Sequence, residues 1–525
     1  TGGCTMSWQA EVDEINKRRA LARAQGGDES IARHHAKGKL TLRERIHALL
    51  DENTFRETGP MAGAATLNDA GEVASFDPAN YILGAGDINS RTVVVGGEDF
   101  TLKGGSPNAA GFRKSVFAEH LALDMRAPLV RLMEGGGGSV AGGGDDPKKP
   151  RTVGEPPHTP PRFQVIAEAM NKIPIASAAL GPVAGLPAAR LVASHFTVMT
   201  RNTAQVLIAG PSVVERALGV KVTKEELGGP QVHLASGVVD NLAEDEYDAL
   251  RQIRTFLSYF PQNAWQSAPR ISCSDPVDRR EEALLSMVPR DRRETFDMHN
   301  LIEAVVDRDS FFEYAAAYGP ALITGYARLN GQSVGILAND CRFFAGAMSA
   351  EAAQKTRRFI EICDSFHIPI VTVVDEPGFM IGPEAESAAT IRYGMAAVSA
   401  ATTSVVPWAS VMVHKSFGVA TAAHFSPDNY VLTWPSVAGG ALPVEGGVAV
   451  AFRRQIAEAE DPVALRKELE EKLASARSPY PAAESFAVND LIDPRETRPL
   501  LCQWIEDIQP RLKEQVQPVS FGMRP

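Results

Sequence analysis

Apolar runs of strand length recur along this chain, each closed by a turn of small residues. Ile173-Pro174-Ile175-Ala176-Ser177-Ala178-Ala179-Leu180 leads into Gly181-Pro182-Val183-Ala184-Gly185-Leu186. Val405-Val406-Pro407-Trp408-Ala409-Ser410-Val411-Met412-Val413 leads into His414-Lys415-Ser416-Phe417-Gly418-Val419-Ala420. One offset relates the two stretches: Pro407 lies 233 residues after Pro174, and Gly418 lies 233 after Gly185. Upstream a second offset holds, with Asp340, Gly346 and Lys355 each 241 residues after Asp99, Gly105 and Lys114. There Val93-Val94-Val95 matches Val334-Gly335-Ile336-Leu337. Phe112, Val116, Phe117 and Leu121 then form one stripe at helical spacing, and Phe359, Ile362, Cys363 and Phe366 another, as expected of packed helix faces. Two further apolar runs, 128–133 and 369–374, end in Glu134-Gly135-Gly136-Gly137 and Asp375-Glu376-Pro377-Gly378.

The repeated unit reads strand, glycine turn, helix, strand, acidic glycine turn, helix, strand, glycine turn. Strands alternating with helices predict an α/β fold with a parallel sheet, and ligands sit at the carboxyl ends of such strands. A repeat this long means two homologous domains, expected at 7–262 and 263–525, since Pro261, Pro269 and Pro276 interrupt the polar stretch from Tyr259 to Asp278. Gly135 to Pro161 has seven glycines before Asp145 and a proline-rich tail, so a mobile loop is expected there. A shorter loop is expected at Gly382 to Ser387. Before the repeat lies a charged helical lead-in. Glu11 to Gln25 is polar apart from Val12, Ile15 and Leu21, and Thr41 with Glu44 forms a capping-box pattern. The basic residues around it are expected on a solvated face, or else near a coenzyme A phosphate. From Asp461 to Ala476 the Glu and Lys spacing suits a solvated helix.

Composition narrows the class. At 525 residues, two or more cores are expected. A net charge of −11 argues against a general nucleic-acid binder. The five cysteines form no CxxC pair, so neither a disulfide framework nor a metal site is expected, and a reducing, cytoplasmic setting fits. No apolar run reaches the ~18 residues of a membrane span, so no membrane insertion is expected. Thr1 to Thr5 precede Met6 and stand outside the fold reasoning.

A glycine turn after a strand lets a ligand approach backbone N–H groups, and two such donors stabilise a carbonyl oxygen that gains negative charge. No particular side chain is needed. That matters because GxSxG, HExxH, GxxxxGK[ST] and a GxGxxG followed by a suitable acid are all missing. His414 is expected to be a packing residue, and Asp340 and Asp375 strand-end hydrogen bonders.

The wider motif set resembles the carboxyltransferase (beta) subunits of biotin-dependent acyl-CoA carboxylases, the propionyl-CoA carboxylase type. The likeness spans nearly the whole chain. It rests on His35-Ala36-Lys37-Gly38-Lys39-Leu40-Thr41, Glu225-Glu226-Leu227-Gly228-Gly229 with Ser236-Gly237-Val238, and Phe296-Asp297-Met298 with Phe311-Phe312-Glu313. It continues through Arg358-Phe359-Ile360, Cys363-Asp364-Ser365-Phe366, Asp375-Glu376-Pro377-Gly378-Phe379, Lys415-Ser416-Phe417-Gly418 and Trp434-Pro435-Ser436. The resemblance implies two crotonase-like ββα-spiral domains, with acyl-CoA on the N-terminal one and carboxybiotin on the C-terminal one. It also implies dimers assembled into a hexamer. Biotin would be carried by a biotin carboxylase/biotin carrier (alpha) subunit, which uses ATP and bicarbonate; no Met-Lys-Met biotinylation motif is found in this sequence.

Carried over by position, backbone N–H groups at Gly185 and Leu186 hold the thioester oxygen as an enolate forms, and those at Gly418, Val419 and Ala420 hold the ureido oxygen of biotin. Phe417 is implied on the biotin side, and Gly135, Gly136 and Ala422 on the substrate side. The first turn departs from the family's Gly-Gly-Ala by reading Gly185-Leu186-Pro187, and the acidic turn has no arginine. After the second turn the family's Gly-Ala-Tyr-Asp is Val419-Ala420-Thr421-Ala422. These departures imply an acyl group other than acetyl or propionyl, larger or branched. The alternatives are the carboxyltransferase subunit of a biotin-dependent decarboxylase, and a non-catalytic scaffold paralogue.

Overall fold

A computed structural model describes residues 7–137, 139–141, 151–153, 162–475, 478–520 and 522–525. Thr1 to Thr5, and most of the loop expected at Gly135 to Pro161, lie outside these residues. The chain divides into two compact units, one running to Ser258 and the other from Tyr259 to Met523.

Each unit holds an eight-stranded sheet. In the first, the strands are β1 (Arg56–Glu57), β2 (Tyr81–Ile88), β3 (Arg91–Glu98), β4 (Leu129–Gly136), β5 (Ile175–Ala184), β6 (Phe196–Thr200), β7 (Gln205–Leu207) and β8 (Asn241–Ala243). Their order is β1-β2-β3-β4-β5-β6-β8, with β7 beside β5. The second unit repeats this with β9 (Phe312–Tyr314), β10 (Leu322–Leu329), β11 (Gln332–Asn339), β12 (Ile370–Glu376), β13 (Trp408–Phe417), β14 (Asn429–Thr433), β15 (Ala438–Gly440) and β16 (Asp490–Leu491). The order is again β9-β10-β11-β12-β13-β14-β16, with β15 beside β13.

The expected parallel sheet begins only at β3 and β11. Before them, β2–β3 and β10–β11 are antiparallel hairpins. Their turns are Asn89-Ser90 (φ 50° and 61°) and Asn330-Gly331 (φ 48° and 77°). Two successive positive φ values make a two-residue turn whose twist matches the strands, and Asn and Gly tolerate it.

The lead-in comprises α1 (Gln9–Arg23), α2 (Asp28–His35) and α3 (Leu42–Leu49). The capping box forms: the Thr41 hydroxyl accepts from the Glu44 N–H, and the Glu44 carboxylate accepts from the Thr41 N–H at 2.7 Å. The solvated basic face forms only in part: Arg33, His35 and Lys37 are exposed, but other cations of the lead-in are not. Arg45 is 1% exposed and Lys39 8%, because both neutralise buried acids of this unit.

The crossover helices α4 (Ala109–Met125) and α6 (Ala350–Ser365) differ more than their sequences suggest; between them lies α5 (Leu186–Val192). In α6 the predicted stripe is the packed face, with Phe359, Ile362, Cys363 and Phe366 all buried. In α4 it is not. Phe117 is exposed, Phe112, Val116 and Leu121 are half-buried, and the buried face is Gly111, Ser115, Ala118, Glu119 and Ala122. Small side chains bring this helix close to the sheet: a Cβ on Gly111 would stand 2.2 Å from Asn80 Oδ1. The loop expected at Gly382 to Ser387 is instead a short helix, Pro383–Ser387, started by Gly382 at φ 111° and a proline in its first turn. Within the predicted solvated helix near the C-terminus, Lys467 and Glu471 pair at 3.9 Å. Among the described residues, no helix is long and apolar enough to cross a membrane.

Candidate active site

Both glycine turns have the same backbone geometry. Gly185 ends β5 at φ 67° and Gly418 ends β13 at φ 68°, a region that an L side chain adopts only with strain. The Gly185 N–H donates to Leu207 O of β7 at 3.1 Å, and the Gly418 N–H donates to Gly440 O of β15 at 3.1 Å. Leu207 and Gly440 are themselves 233 residues apart, so the small side strand belongs to the repeat. The resemblance placed these two N–H groups on a ligand oxygen; in the fold they are taken up by the side strands and anchor the turn. Leu186 opens α5, and Val419 and Ala420 open a 3-10 helix, Val419–His424. The first N–H groups of a helix have no intrahelical acceptor. Pro187, the second residue of α5, has no N–H at all.

In the first unit three turns meet. A Cβ on Gly105 would lie 2.4 Å from Glu134 O, and one on Gly135 would lie 2.8 Å from Gly105 O. A Cβ on Gly137 would lie 2.4 Å from Leu186 N. Gly135 and Gly136, which the resemblance places on the substrate side, pair with Val183 and Ala184 at the end of β5. In the second unit Val419 is exposed, Ala422 is half-buried, and Ala420 and Phe417 are buried. Phe417 thus contributes backbone at this turn, with its side chain packed away.

The acids behind the turns are structural. Glu134 is fully buried and binds Lys39, and its Oε2 takes Arg45 Nη2 at 2.7 Å. Arg45 also reaches Glu246 at 2.6 Å. A buried carboxylate needs such pairing, and it comes from the lead-in. Asp375 accepts the Lys415 N–H at 3.0 Å, with His414 Nδ1 at 3.1 Å and Lys415 Nζ at 3.5 Å. Asp340 accepts the Arg342 N–H at 3.0 Å. These placements suit strand-end hydrogen bonders, and His414 a packed side chain. Opposite each acid the neighbouring strand bulges, between the pairs Met133↔Ala179 and Gly135↔Val183 and between Val374↔Met412 and Glu376↔Ser416. Such bulges re-aim strand ends beside sites.

A cleft adjoins the first turn, lined by Gly136, Gly137, Leu186 and Pro187 and, at its other side, by charged groups the sequence reading missed. Arg190, on α5, donates to Glu98 Oε1 at 3.2 Å, to Tyr81 Oη at 3.2 Å and to Glu119 Oε1 at 3.0 Å. Arg131 of β4 reaches Glu119 Oε1 at 3.3 Å. Burial pushes the Glu98 carboxyl above the usual range, with Arg190 opposing it. Burial also acts on Glu119, but Arg190 and Arg131 outweigh it and hold that carboxyl low. Burial lowers Arg131 to about 10. One signal was available in the sequence: Arg131 interrupts the apolar run 128–133, and a charge inside a buried strand demands a partner.

The model of the carboxyl transferase domain family matches residues 33–511. The chain is 34% identical to the carboxyltransferase subunit of propionyl-CoA carboxylase from Haloferax mediterranei, over 97% of this chain and 98% of that protein. It is 33% identical to methylmalonyl-CoA decarboxylase subunit alpha from Veillonella parvula, over 94% of each. Among solved structures, transcarboxylase 12S with methylmalonyl-coenzyme A and methylmalonic acid bound, described as a hexamer, superposes with a TM-score of 0.85 at 29% identity. That match covers 99% of this chain and 98% of the other.

Proposed function

The chain belongs to the carboxyl transferase domain family, and on that premise we propose that it is the carboxyltransferase component of a biotin-dependent acyl-CoA carboxylase. The observation that carries this reading is the pair of glycine turns with matched anchors, each leaving helix-start N–H groups for a carbonyl oxygen. In this reading the thioester oxygen sits against the Leu186 N–H, where Gly136 and Gly137 shape the acyl side. The donors at Val419 and Ala420 take the ureido oxygen of biotin. That second turn suits a neutral urea: Gly418 and Val419 are exposed, and two successive N–H groups open the helix. Bound there, carboxybiotin supplies CO2 and, once freed of it, a nitrogen that accepts the α-proton. The chain's own work is to hold the developing enolate charge, and each key donor of this kind contributes on the order of 3–4 kcal/mol.

Biotin arrives on a partner that also provides the ATP- and bicarbonate-using carboxylase, and the chain works as dimers assembled into a hexamer. The test is co-purification with a biotinylated protein, followed by an acyl-CoA screen with labelled bicarbonate. ATP-dependent label in a carboxyacyl-CoA is the expected result, and absence of label with every thioester overturns the reading. A second reading reverses the flux. It is favoured by the similarity to a methylmalonyl-CoA decarboxylase subunit at nearly the same identity. In that case the isolated complex releases CO2 from a carboxyacyl-CoA and incorporates none.

A further inference from the structure

We propose that the buried Glu376–His424 pair positions the biotin-side donors, and that it acts on that half of the reaction alone. The inference rests on the reading above, in which the Val419 and Ala420 N–H groups hold the ureido oxygen.

Those donors open a six-residue 3-10 helix, Val419–His424, which has no side-chain cap at its start. So short a helix has little stability of its own, and its aim is set by what holds its ends. The start is held by the Gly418 N–H, which donates to Gly440 O at 3.1 Å. The far end is His424, whose ring and carbonyl are both held by the sheet. Its Nε2 lies 3.2 Å from Glu376 Oε2, and its carbonyl accepts from Ser410 Oγ at 2.7 Å and Thr372 Oγ1 at 3.0 Å. His424 and Glu376 are both 0% exposed.

Glu376, the last residue of β12, joins three parts of the site. Its Oε1 accepts the Gly378 N–H at 2.9 Å, and its Oε2 accepts from Asn339 Nδ2 of β11 at 3.0 Å. Gly378 stands beside the donor turn: a Cβ on it would lie 3.8 Å from the carbonyl oxygen of Phe417, the residue before Gly418. One carboxyl therefore ties the acidic turn, β11 and the end of the donor helix together. Hydrogen bonds between buried groups are electrostatically strong and hold one arrangement of what they join.

The first unit shows that this corner can close without such a pair. Offset by 241 residues, Glu376 becomes Gly135; offset by 233, His424 becomes Leu191. Leu191 is buried with Met133, Ala179, Val183 and Ala188 in an apolar cluster. There the donor helix α5 is held through Arg190, and by Arg131 Nη1, which donates to Arg190 O and Ala193 O at 2.9 Å each. Arg131 corresponds to Thr372, so one strand position holds the end of both donor helices by different chemistry. Burying a carboxyl and an imidazole carries a desolvation penalty that leucine avoids, which points to positioning and not to stability as the pair's role.

The test uses the full chain reconstituted with its biotinylated partner, ATP and labelled bicarbonate. The acyl acceptor is whichever of acetyl-, propionyl-, butyryl-, isobutyryl- and hexanoyl-CoA takes most label. His424→Leu, which copies Leu191, should lower kcat by about 10–100-fold, the usual effect of misplacing a reacting group by about an ångström. Its acyl-CoA KM should stay at the wild-type value, and thermal melts should show it folded. His424→Gln, whose amide nitrogen can take the place of Nε2, should recover most of the lost kcat. A folded His424→Leu with wild-type kcat overturns the inference. So does a loss that His424→Gln fails to recover, or an acyl-CoA KM that rises with it. Should His424→Leu fail to fold, the double variant Thr372→Val with Ser410→Ala decides, since it removes only the hydroxyls on the His424 carbonyl. Lowered kcat at unchanged acyl-CoA KM supports the inference there, and wild-type kcat overturns it. If the wild-type complex labels none of the thioesters, the underlying reading fails and takes the inference with it.

Discussion

Glu134 with Gly181 in the first unit, and Asp375 with His414 in the second, occupy corresponding places at the bulged end of the sheet. The longer acid faces a residue with no side chain, and the shorter acid faces a ring. A Cβ on Gly181 would stand 2.3 Å from Glu134 Oε1, whereas His414 Nδ1 rests 3.1 Å from Asp375. Space at the strand end is thus conserved by exchange between neighbours. The source of countercharge differs as well. Asp375 is served by Lys415 of the adjoining strand, while Glu134 is served by Lys39 and Arg45, from the lead-in before the sheet. The lesson is that duplication preserved the backbone turns, whose N–H groups do the proposed work, and left the surrounding side chains to diverge.

That contrast can be broken or sharpened by substitution. The largest effect is expected from Arg45→Met, which leaves Glu134 with one cation fewer in a dry site; breaking a buried pair costs about 3–5 kcal/mol. Lys415→Met should cost far less by urea denaturation, because Lys415 is half-buried and the backbone N–H to Asp375 remains. Equal losses would mean that the two acids are held alike.

Next come the turns. Gly185→Val and Gly418→Val should each lower kcat of the reconstituted complex by about 10²–10³-fold, the usual consequence of a lost oxyanion donor. Only the first should also weaken acyl-CoA binding, and a reversed pattern would exchange the clients of the two turns.

Gly181→Ala should destabilise the chain by about 1–3 kcal/mol through overpacking against Glu134. Adding Glu134→Asp should recover most of that loss, since it shortens the acid as the second unit does. Additive losses in the double variant would show that the size exchange is coincidental.

A further contrast concerns the paired lysines on the crossover helices. Burial lowers Lys355 from 10.5 to about 7 and Lys114 from 10.5 to about 8. For a base with a depressed folded pKa, the unfolded chain holds more protons across that window. Stability should therefore rise with pH, from about 7 to 10.5 for Lys355 and from about 8 to 10.5 for Lys114. Thermal melts across this range should flatten more in Lys355→Met than in Lys114→Met.

Much of this architecture is readable from the residues in order. The apolar runs, the glycine turns and the constant offsets identify two α/β units, and the Thr41–Glu44 capping box is a local signal that survives unchanged. The hairpin turns were readable too, since Asn330-Gly331 is a strong local signal, but Asn89-Ser90 is a weak one. The α4 stripe misled for a definite reason. Periodicity reports which residues are apolar, and here the close approach of the helix selects small residues and Glu119 for the buried face. Nor could the donor assignment at Gly185 be reached from spacing, because its acceptor, Leu207, belongs to a strand that begins 20 residues later.

By itself the sequence determined the two-unit repeat, the strand ends and the glycines that turn there, because these follow from local steric and hydrophobic patterning. Only the tertiary structure decided which carbonyls the turn N–H groups meet, which cations meet Glu134, and that Arg190 gathers Glu98, Glu119 and Tyr81 beside the first turn. Each of those depends on atoms brought within hydrogen-bond distance from residues tens to hundreds of positions apart. One-dimensional spacing does not encode that distance, and the folded packing does.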